Sequence, residues 1–88
     1  EIGLLKIDTE GFEYEVLDGS KNLLKNKTIK SIIFEHSKSL QKTLGKDPKS
    51  VFELLEKYDY MIYDYSGNPF NYKKDSYDKI SDFLALRK

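Results

Sequence analysis

Hydrophobic residues along the chain occur in short runs separated by polar turns, a spacing that predicts alternating strands and helices. The first run covers residues 2–7 and is apolar except at Gly3 and Lys6. A nearly continuous run is typical of a strand that is buried on both faces of a parallel sheet. Because the chain starts almost directly in such a run, and at Glu1 rather than at a methionine, we expect it to be a fragment of a larger domain.

Polar residues after the first run predict the start of a helix. Asp8 or Thr9 is expected to cap the first helical amides, and Glu10 suits the positive end of the helix dipole. Gly19 is expected to end this helix. The helical period predicts an apolar inner face and an acidic outer face: Phe12, Val16 and Leu17 inward, and Glu13, Glu15 and Asp18 outward.

Turn-forming and apolar residues predict how the rest of the chain is divided. Asp47 is expected to be the N-cap of a helix in which Pro48 is the first residue, and residues 37–46 are polar enough to be a loop with room for one helical turn. The other elements are a short helix from Ser20, a strand at 28–34, a helix ending near Tyr58, a strand at 60–65, a long polar connection at 66–81 and a strand at 82–87.

The order of these elements predicts an α/β fold with helices packed on a sheet. Alternating strands and helices indicate parallel strands joined by right-handed crossovers, and the last two strands, which no helix separates, are expected to be antiparallel. The segments that follow the first three strands, residues 8–11, 36–47 and 66–81, then meet at one edge of the sheet. Ligands of open α/β sheets bind at that edge.

Composition excludes several kinds of site. The chain has 88 residues, no cysteine and one histidine, so disulfides, thiolate zinc sites, cysteine nucleophiles and multi-histidine metal sites within it are excluded. Lysine plus arginine equals aspartate plus glutamate at 15 each, which argues against a nucleic-acid partner. No apolar run reaches membrane-spanning length. We therefore predict no nucleic-acid or membrane partner and, in keeping with the lack of cysteine, a cytoplasmic location.

The segment LLKIDTEGFE at residues 4–13, followed by VLDG at residues 16–19, resembles the FkbM family of S-adenosylmethionine-dependent methyltransferases. Weaker similarity to that family continues at residues 32–35, 48–55 and 82–85. The resemblance implies a partial Rossmann-like class I methyltransferase sheet. The four strands would be strands 4, 5, 6 and 7 of that sheet, in the spatial order 4-5-7-6 with the last strand antiparallel.

The resemblance also implies that residues 1–88 are a single partial domain, the carboxyl-terminal half of a methyltransferase domain. Such domains bind S-adenosylmethionine with a glycine-rich loop and an acidic residue from their amino-terminal half. This chain has no counterpart of either and contains no G-x-G sequence. The missing amino-terminal half of the same domain is therefore an expected partner, and the chain by itself is expected to be inactive.

Asp8, Glu35 and His36 are the candidate catalytic residues, because each follows a predicted strand at the ligand-binding edge. Asp8 would face the methyl donor or orient an acceptor hydroxyl, although a simple helix cap is the alternative. Glu35 is predicted to lie in line with Asp8 on the neighbouring strand. His36 could remove a proton from the acceptor, since histidine titrates near neutrality, but a lone histidine more often has no such role.

Asp8, Glu10 and Gly11 are the candidate cofactor-binding residues. Glu10 would contact cofactor or substrate, and a favourable charge at the helix dipole is the alternative. Gly11 is expected to permit a close backbone approach at the turn. No metal ligand is predicted.

Three functions follow from these observations. The first is the carboxyl-terminal part of an S-adenosylmethionine-dependent methyltransferase that methylates a hydroxyl of a sugar or another small molecule. The second is a non-enzymatic α/β interaction module that pairs through the free edge of its first strand, in which Lys6 is the only charge before Asp8. The third is a family member that keeps the scaffold and has lost activity.

Overall fold

Strands and helices alternate along the chain as predicted, and the α/β fold is confirmed. The computed structural model describes residues 2–8 and 10–88. Its elements are β1 (Ile2–Ile7), α1 (Glu13–Gly19), α2 (Lys21–Lys25), β2 (Ile29–His36), α3 (Lys38–Thr43), α4 (Ser50–Lys57), β3 (Tyr60–Asp64) and β4 (Ser81–Arg87).

The four strands form one sheet in the order β1-β2-β4-β3. β1 is parallel to β2, and β4 is antiparallel to both of its neighbours. The order and the antiparallel direction of the last strand agree with the prediction. The parallel register places Ile7 beside Phe34, so β1 and β2 end at the same edge of the sheet.

Helices α1 and α4 pack against each other and against the sheet, which buries one of its faces. On this face the register aligns Ile32 with Ala85 and Phe34 with Phe83, and all four side chains are buried. The neighbouring row on the other face contains Ile33 and Leu84, which are only half-buried. The hydrophobic core therefore lies between the sheet and the two helices.

The prediction that β1 is buried on both faces is wrong. Leu4 is 55% exposed, Ile2 is also exposed, and only Ile7 of this strand is buried. The reason is that β1 is an edge strand paired with β2 alone, while the helices cover only one face of the sheet. An apolar run identifies a strand, but it does not show how much of the fold surrounds it.

The starts of three helices differ from the prediction. α1 has Phe12 as its N-cap residue and no side-chain cap, so Asp8 does not cap it, and Thr9 lies outside the described residues. α4 has Lys49 as its N-cap residue. Asp47 instead accepts a hydrogen bond from the Lys49 amide at 3.0 Å. Residues 37–46, expected to be mostly loop, contain the six-residue helix α3, in which the Ser37 hydroxyl accepts from the Leu40 amide.

Aromatic side chains fasten the long connection between β3 and β4 to the core. Phe52 of α4 is fully buried; its ring stacks on Tyr72 at 5.3 Å between centroids and meets Tyr77 edge-on at 5.1 Å. Phe70 contacts Phe83 at 4.7 Å. These contacts bring the connection back over the carboxyl end of β2, where the candidate site lies.

Candidate functional site

An acidic cleft of about 300 Å³ lies beyond the carboxyl ends of β1 and β2. Each of the segments expected to meet at this edge contributes to its lining. The cleft is lined by Asp8, Glu10, Gly11, Glu13, Glu35, His36, Ser37, Leu40 and Ile80. All five candidate site residues of the sequence analysis are therefore brought together, and among the described residues no lysine or arginine lines the cleft.

Asp8 and Glu35 reach the cleft because they follow equivalent positions on parallel neighbours. Ile7 and Phe34 are partners in the parallel register, and the next residue on each strand is an acid. Asp8 is exposed and Glu35 is half-buried. Glu35 also stands opposite Asp82 on β4, and like charges directly opposite each other on a sheet repel.

Two successive residues of the turn between β1 and α1 have left-handed backbone conformations. Glu10 has φ +50° and Gly11 has φ +105°. The expected need for glycine at position 11 agrees with the structure, since a Cβ there would lie 2.5 Å from Leu44 Cδ1. We call Asp8, Glu10 and Gly11 the acidic turn. Because α1 begins at Glu13, Glu10 lies outside the helix rather than in its first turn.

Hydrogen bonds with two buried side chains engage the backbone amide and the backbone carbonyl of Gly11. The Gly11 amide donates to Glu13 Oε2 at 3.0 Å, and the Gly11 carbonyl accepts from Gln41 Nε2 at 2.9 Å. Lys46 Nζ donates to the same carbonyl at 3.2 Å. The conformation of the acidic turn is thus set by α1 on one side and by α3 and the segment after it on the other.

The prediction that Glu13 points outward is wrong, because its side chain is 1% exposed and lines the cleft. Glu13 Oε1 lies 3.6 Å from His36 Nδ1. The Gly11 amide and the imidazole face this carboxylate and offset part of the cost of taking it out of water. The helical period led to the wrong position for Glu13. A signal was present in the sequence, because Glu13 is the last residue of the segment LLKIDTEGFE, which carries the family resemblance.

His36 is buried, and both of its ring nitrogens face protein groups. Nε2 lies 2.8 Å from the Pro48 carbonyl oxygen, so this nitrogen carries the hydrogen and donates it. Nδ1 faces Glu13. The imidazole therefore links α1 to the start of α4. Removal of a proton from an acceptor by His36 stays a prediction, and the geometry adds a supporting role behind the acidic turn.

Tyr77 covers the other side of His36, with the two rings stacked at 5.9 Å between centroids. Burial raises the pKa of the Tyr77 phenol, and the charge of Asp47 adds to the rise. The wall of the site behind His36 is therefore aromatic and uncharged at neutral pH.

Gln41 and Lys46 are site-supporting residues that sequence reasoning missed. Both lie in the segment interpreted as a polar loop, and a polar residue carries no signal of burial until the fold places it against a backbone group.

Within residues 2–8 and 10–88, no group of three or more histidine, aspartate or glutamate side chains is arranged to hold a metal ion.

None of the helices in the described ranges is long and apolar enough to cross a membrane.

Comparison with protein families identifies the family of this chain's first two thirds. A model of the methyltransferase FkbM domain matches residues 1–62, which include β1, the acidic turn, β2 and all five candidate site residues. No curated protein and no solved structure shows significant similarity to the chain.

Proposed function

Because the chain belongs to the FkbM methyltransferase family, we propose that it is the carboxyl-terminal part of an S-adenosylmethionine-dependent methyltransferase that acts on a hydroxyl of a sugar or another small molecule. One observation carries the proposal. Asp8, Glu10 and Glu35 line a single cleft at the carboxyl ends of two parallel strands. Ligands of open α/β sheets bind at this position.

The charge of the acidic cleft fits the methyl donor. S-adenosylmethionine carries a positive sulfonium and a positive amino group, and the cleft presents carboxylates, with no lysine or arginine lining it in the part of the chain that the structure describes. We propose that Asp8, Glu10 and Gly11 contribute to holding the donor. The donor supplies an activated methyl group with a good leaving group, so this chain's residues mainly have to bind and orient.

Asp8, Glu35 and His36 are the proposed catalytic residues. Asp8 and Glu35 would orient the acceptor hydroxyl beside the donor and receive its proton, since alignment of two reactants supplies most of what such a transfer needs. The apolar side chains of Leu40 and Ile80 border the same cleft. They would cover the carbon skeleton of a small acceptor.

The proposed partner of this chain is the amino-terminal part of the same domain. β1 has one paired edge, toward β2, and its Ile2 and Leu4 side chains are exposed. A further parallel strand at the free edge would cover them and would place a glycine-rich turn beside Asp8. In this proposal β1, β2, β4 and β3 are strands 4, 5, 7 and 6 of a class I sheet, and the location is the cytoplasm.

Calorimetric titration of the complete reading frame with S-adenosylmethionine tests the proposal. The wild type is expected to bind, and Asp8→Asn and Glu35→Gln are expected to weaken binding or slow transfer by about tenfold or more. Asp18→Asn is the matched control, because Asp18 is an exposed acid on α1 that does not line the cleft. Absence of binding by the wild type, or equal effects of all three variants, would refute the proposal.

The 88-residue chain supplied alone is expected to give no turnover. Methyl transfer by this segment without the rest of the domain would contradict the proposal that the amino-terminal part is needed to complete the site.

A non-enzymatic interaction module is the second candidate, favoured by the open edge of β1 and the 55% exposure of Leu4. An apolar edge strand is a template for pairing with another chain. Size-exclusion chromatography with light scattering separates this candidate from the first. A clean monomer of the 88-residue chain would count against edge pairing.

A further inference from the structure

We propose that Glu13 and Gln41 are positioning residues that clamp the backbone amide and the backbone carbonyl of Gly11 and thereby fix the acidic turn against the cleft. The role of the turn in ligand binding rests on the proposed function, whereas the clamp itself rests on geometry alone. Neither residue is a catalytic candidate, and Gln41 does not line the cleft.

The clamp acts on two successive peptide units, the one before and the one after the Gly11 Cα, from two different elements. Glu13, on the first turn of α1, accepts from the Gly11 amide, and Gln41, on α3, donates to the Gly11 carbonyl. The two side chains are 1% and 3% exposed. Each hydrogen bond is thus shielded from competing water, which makes it a firm constraint on the orientation of the peptide.

A clamp is needed because the acidic turn is held in a conformation that an unconstrained chain would leave. Glu10 has φ +50°, which residues with a side chain seldom adopt, and Gly11 has φ +105°. Backbone in such regions persists when its surroundings over-determine it. The clamp supplies that constraint, and it acts on the residue next to Glu10.

Each half of the clamp is itself supported. His36 Nδ1 faces the second oxygen of Glu13 at 3.6 Å. On the other side Lys46 binds the Gly11 carbonyl, pairs with Glu15 at 3.1 Å, and lies 3.6 Å above the centre of the Phe12 ring. The Glu13 carboxylate is thus faced at both oxygens, and the Gly11 carbonyl has a second donor beside Gln41. A displaced clamp would move Asp8 and Glu10 rather than the core.

Hydrogen exchange measured by NMR on the 88-residue chain tests the inference without any cofactor. In Glu13→Met the Gly11 amide loses its acceptor, and its exchange is expected to become about tenfold faster or more, while the core amides of Ile32 and Ala85 keep their protection. Glu13→Gln keeps an acceptor oxygen and is expected to restore protection at Gly11. Asp18→Asn, on the same helix, is the control.

Gln41→Met provides the second arm. It removes the donor to the Gly11 carbonyl and is expected to shift the carbonyl carbon resonance of Gly11, which Lys42→Met, a change at the neighbouring exposed position, leaves in place. If Glu13→Met fails to fold, this arm and the Glu13→Gln comparison still test the clamp. Unchanged Gly11 signals overturn the inference, and so does a loss of protection spread equally over the core.

Binding of S-adenosylhomocysteine to the complete reading frame separates this inference from the proposed function. Glu13→Met and Gln41→Met are expected to raise its Kd by about tenfold, and Lys42→Met is expected to leave it unchanged. A wild type that does not bind would refute the proposed function, while the exchange result would still decide the clamp. If both clamp variants bind S-adenosylhomocysteine as tightly as the wild type does, the positioning role is overturned.

Discussion

Replacement of Gly11 by alanine should destabilise this fold more than the same replacement at any of the other four glycines. The new Cβ would lie 2.5 Å from Leu44 Cδ1, 3.5 Å from Leu40 Cδ2 and 3.6 Å from Gln41 Nε2. The residue would also have to adopt φ +105°. Two separate penalties, one of conformation and one of packing, therefore fall on a single methyl group.

The conformational penalty for a non-glycine residue at such a φ is about 1–3 kcal/mol. Overpacking costs about 1–3 kcal/mol, and the lower end applies because the clashing Leu44 side chain is 40% exposed and is free to rotate. The expected loss for Gly11→Ala is therefore about 2–4 kcal/mol. For a domain of this size each kcal/mol lowers Tm by about 4–8 °C.

Two other glycines separate the penalties. Gly45 has φ +72° with nothing within 4 Å of an added Cβ, so Gly45→Ala should show the conformational penalty alone. Gly3 has an equally open Cβ position and no positive φ, so Gly3→Ala should be neutral or stabilising by about 0.5–1 kcal/mol. Urea unfolding followed by circular dichroism ranks the three variants. A Gly11→Ala variant no less stable than Gly45→Ala would refute the packing argument, and one as stable as Gly3→Ala would refute both.

Phe52→Ala should cost about 3–5 kcal/mol in urea unfolding, since the ring is fully buried at the centre of the aromatic cluster; a loss under about 1 kcal/mol would mean that the cluster is loosely packed. Burial raises the pKa of Tyr60 above 10.0 although nearby Arg87 lowers it, so the folded state holds this proton longer than the unfolded state. The contribution of the Tyr60 phenol to the free energy of unfolding is fully present below about pH 10 and is lost as the pH rises further. Tyr60→Phe should therefore lose less stability than the wild type as the pH rises above about 10, and an equal loss in both proteins would contradict the assignment.

Much of the sheet could be predicted from the sequence because the rules that govern it are local and topological. Alternating strands and helices indicate parallel strands, and the lack of a helix before residues 81–87 indicates that the last strand runs antiparallel to its neighbours. The adjacency of Asp8 and Glu35 follows from the same reasoning, since each acid directly follows the strand predicted from the sequence, although β2 itself extends to His36. The exposure of β1 could not be predicted, because it depends on which elements cover each face and edge of the sheet.

The clamp around Gly11 could not be predicted either. α1 has only seven residues, and so short a helix gives a weak period; the expected outward position of Glu13 was the result. Gln41 acts on a residue thirty positions earlier in the chain. Its burial depends on α3 folding back over the acidic turn, and residues 37–46 have too few apolar positions to reveal that helix.

β4 is the last strand along the chain, yet it lies between β2 and β3 and joins them. While a ribosome is still making residues 81–87, β3 has no strand to pair with and β2 has an open edge. The sheet must therefore close only after residues 81–87 have been made, by contacts between segments far apart in sequence, which is a slow class of folding event. A truncation or bulky tag that disturbs this last strand would leave two unsatisfied edges, and aggregation of newly made chains would be the first sign.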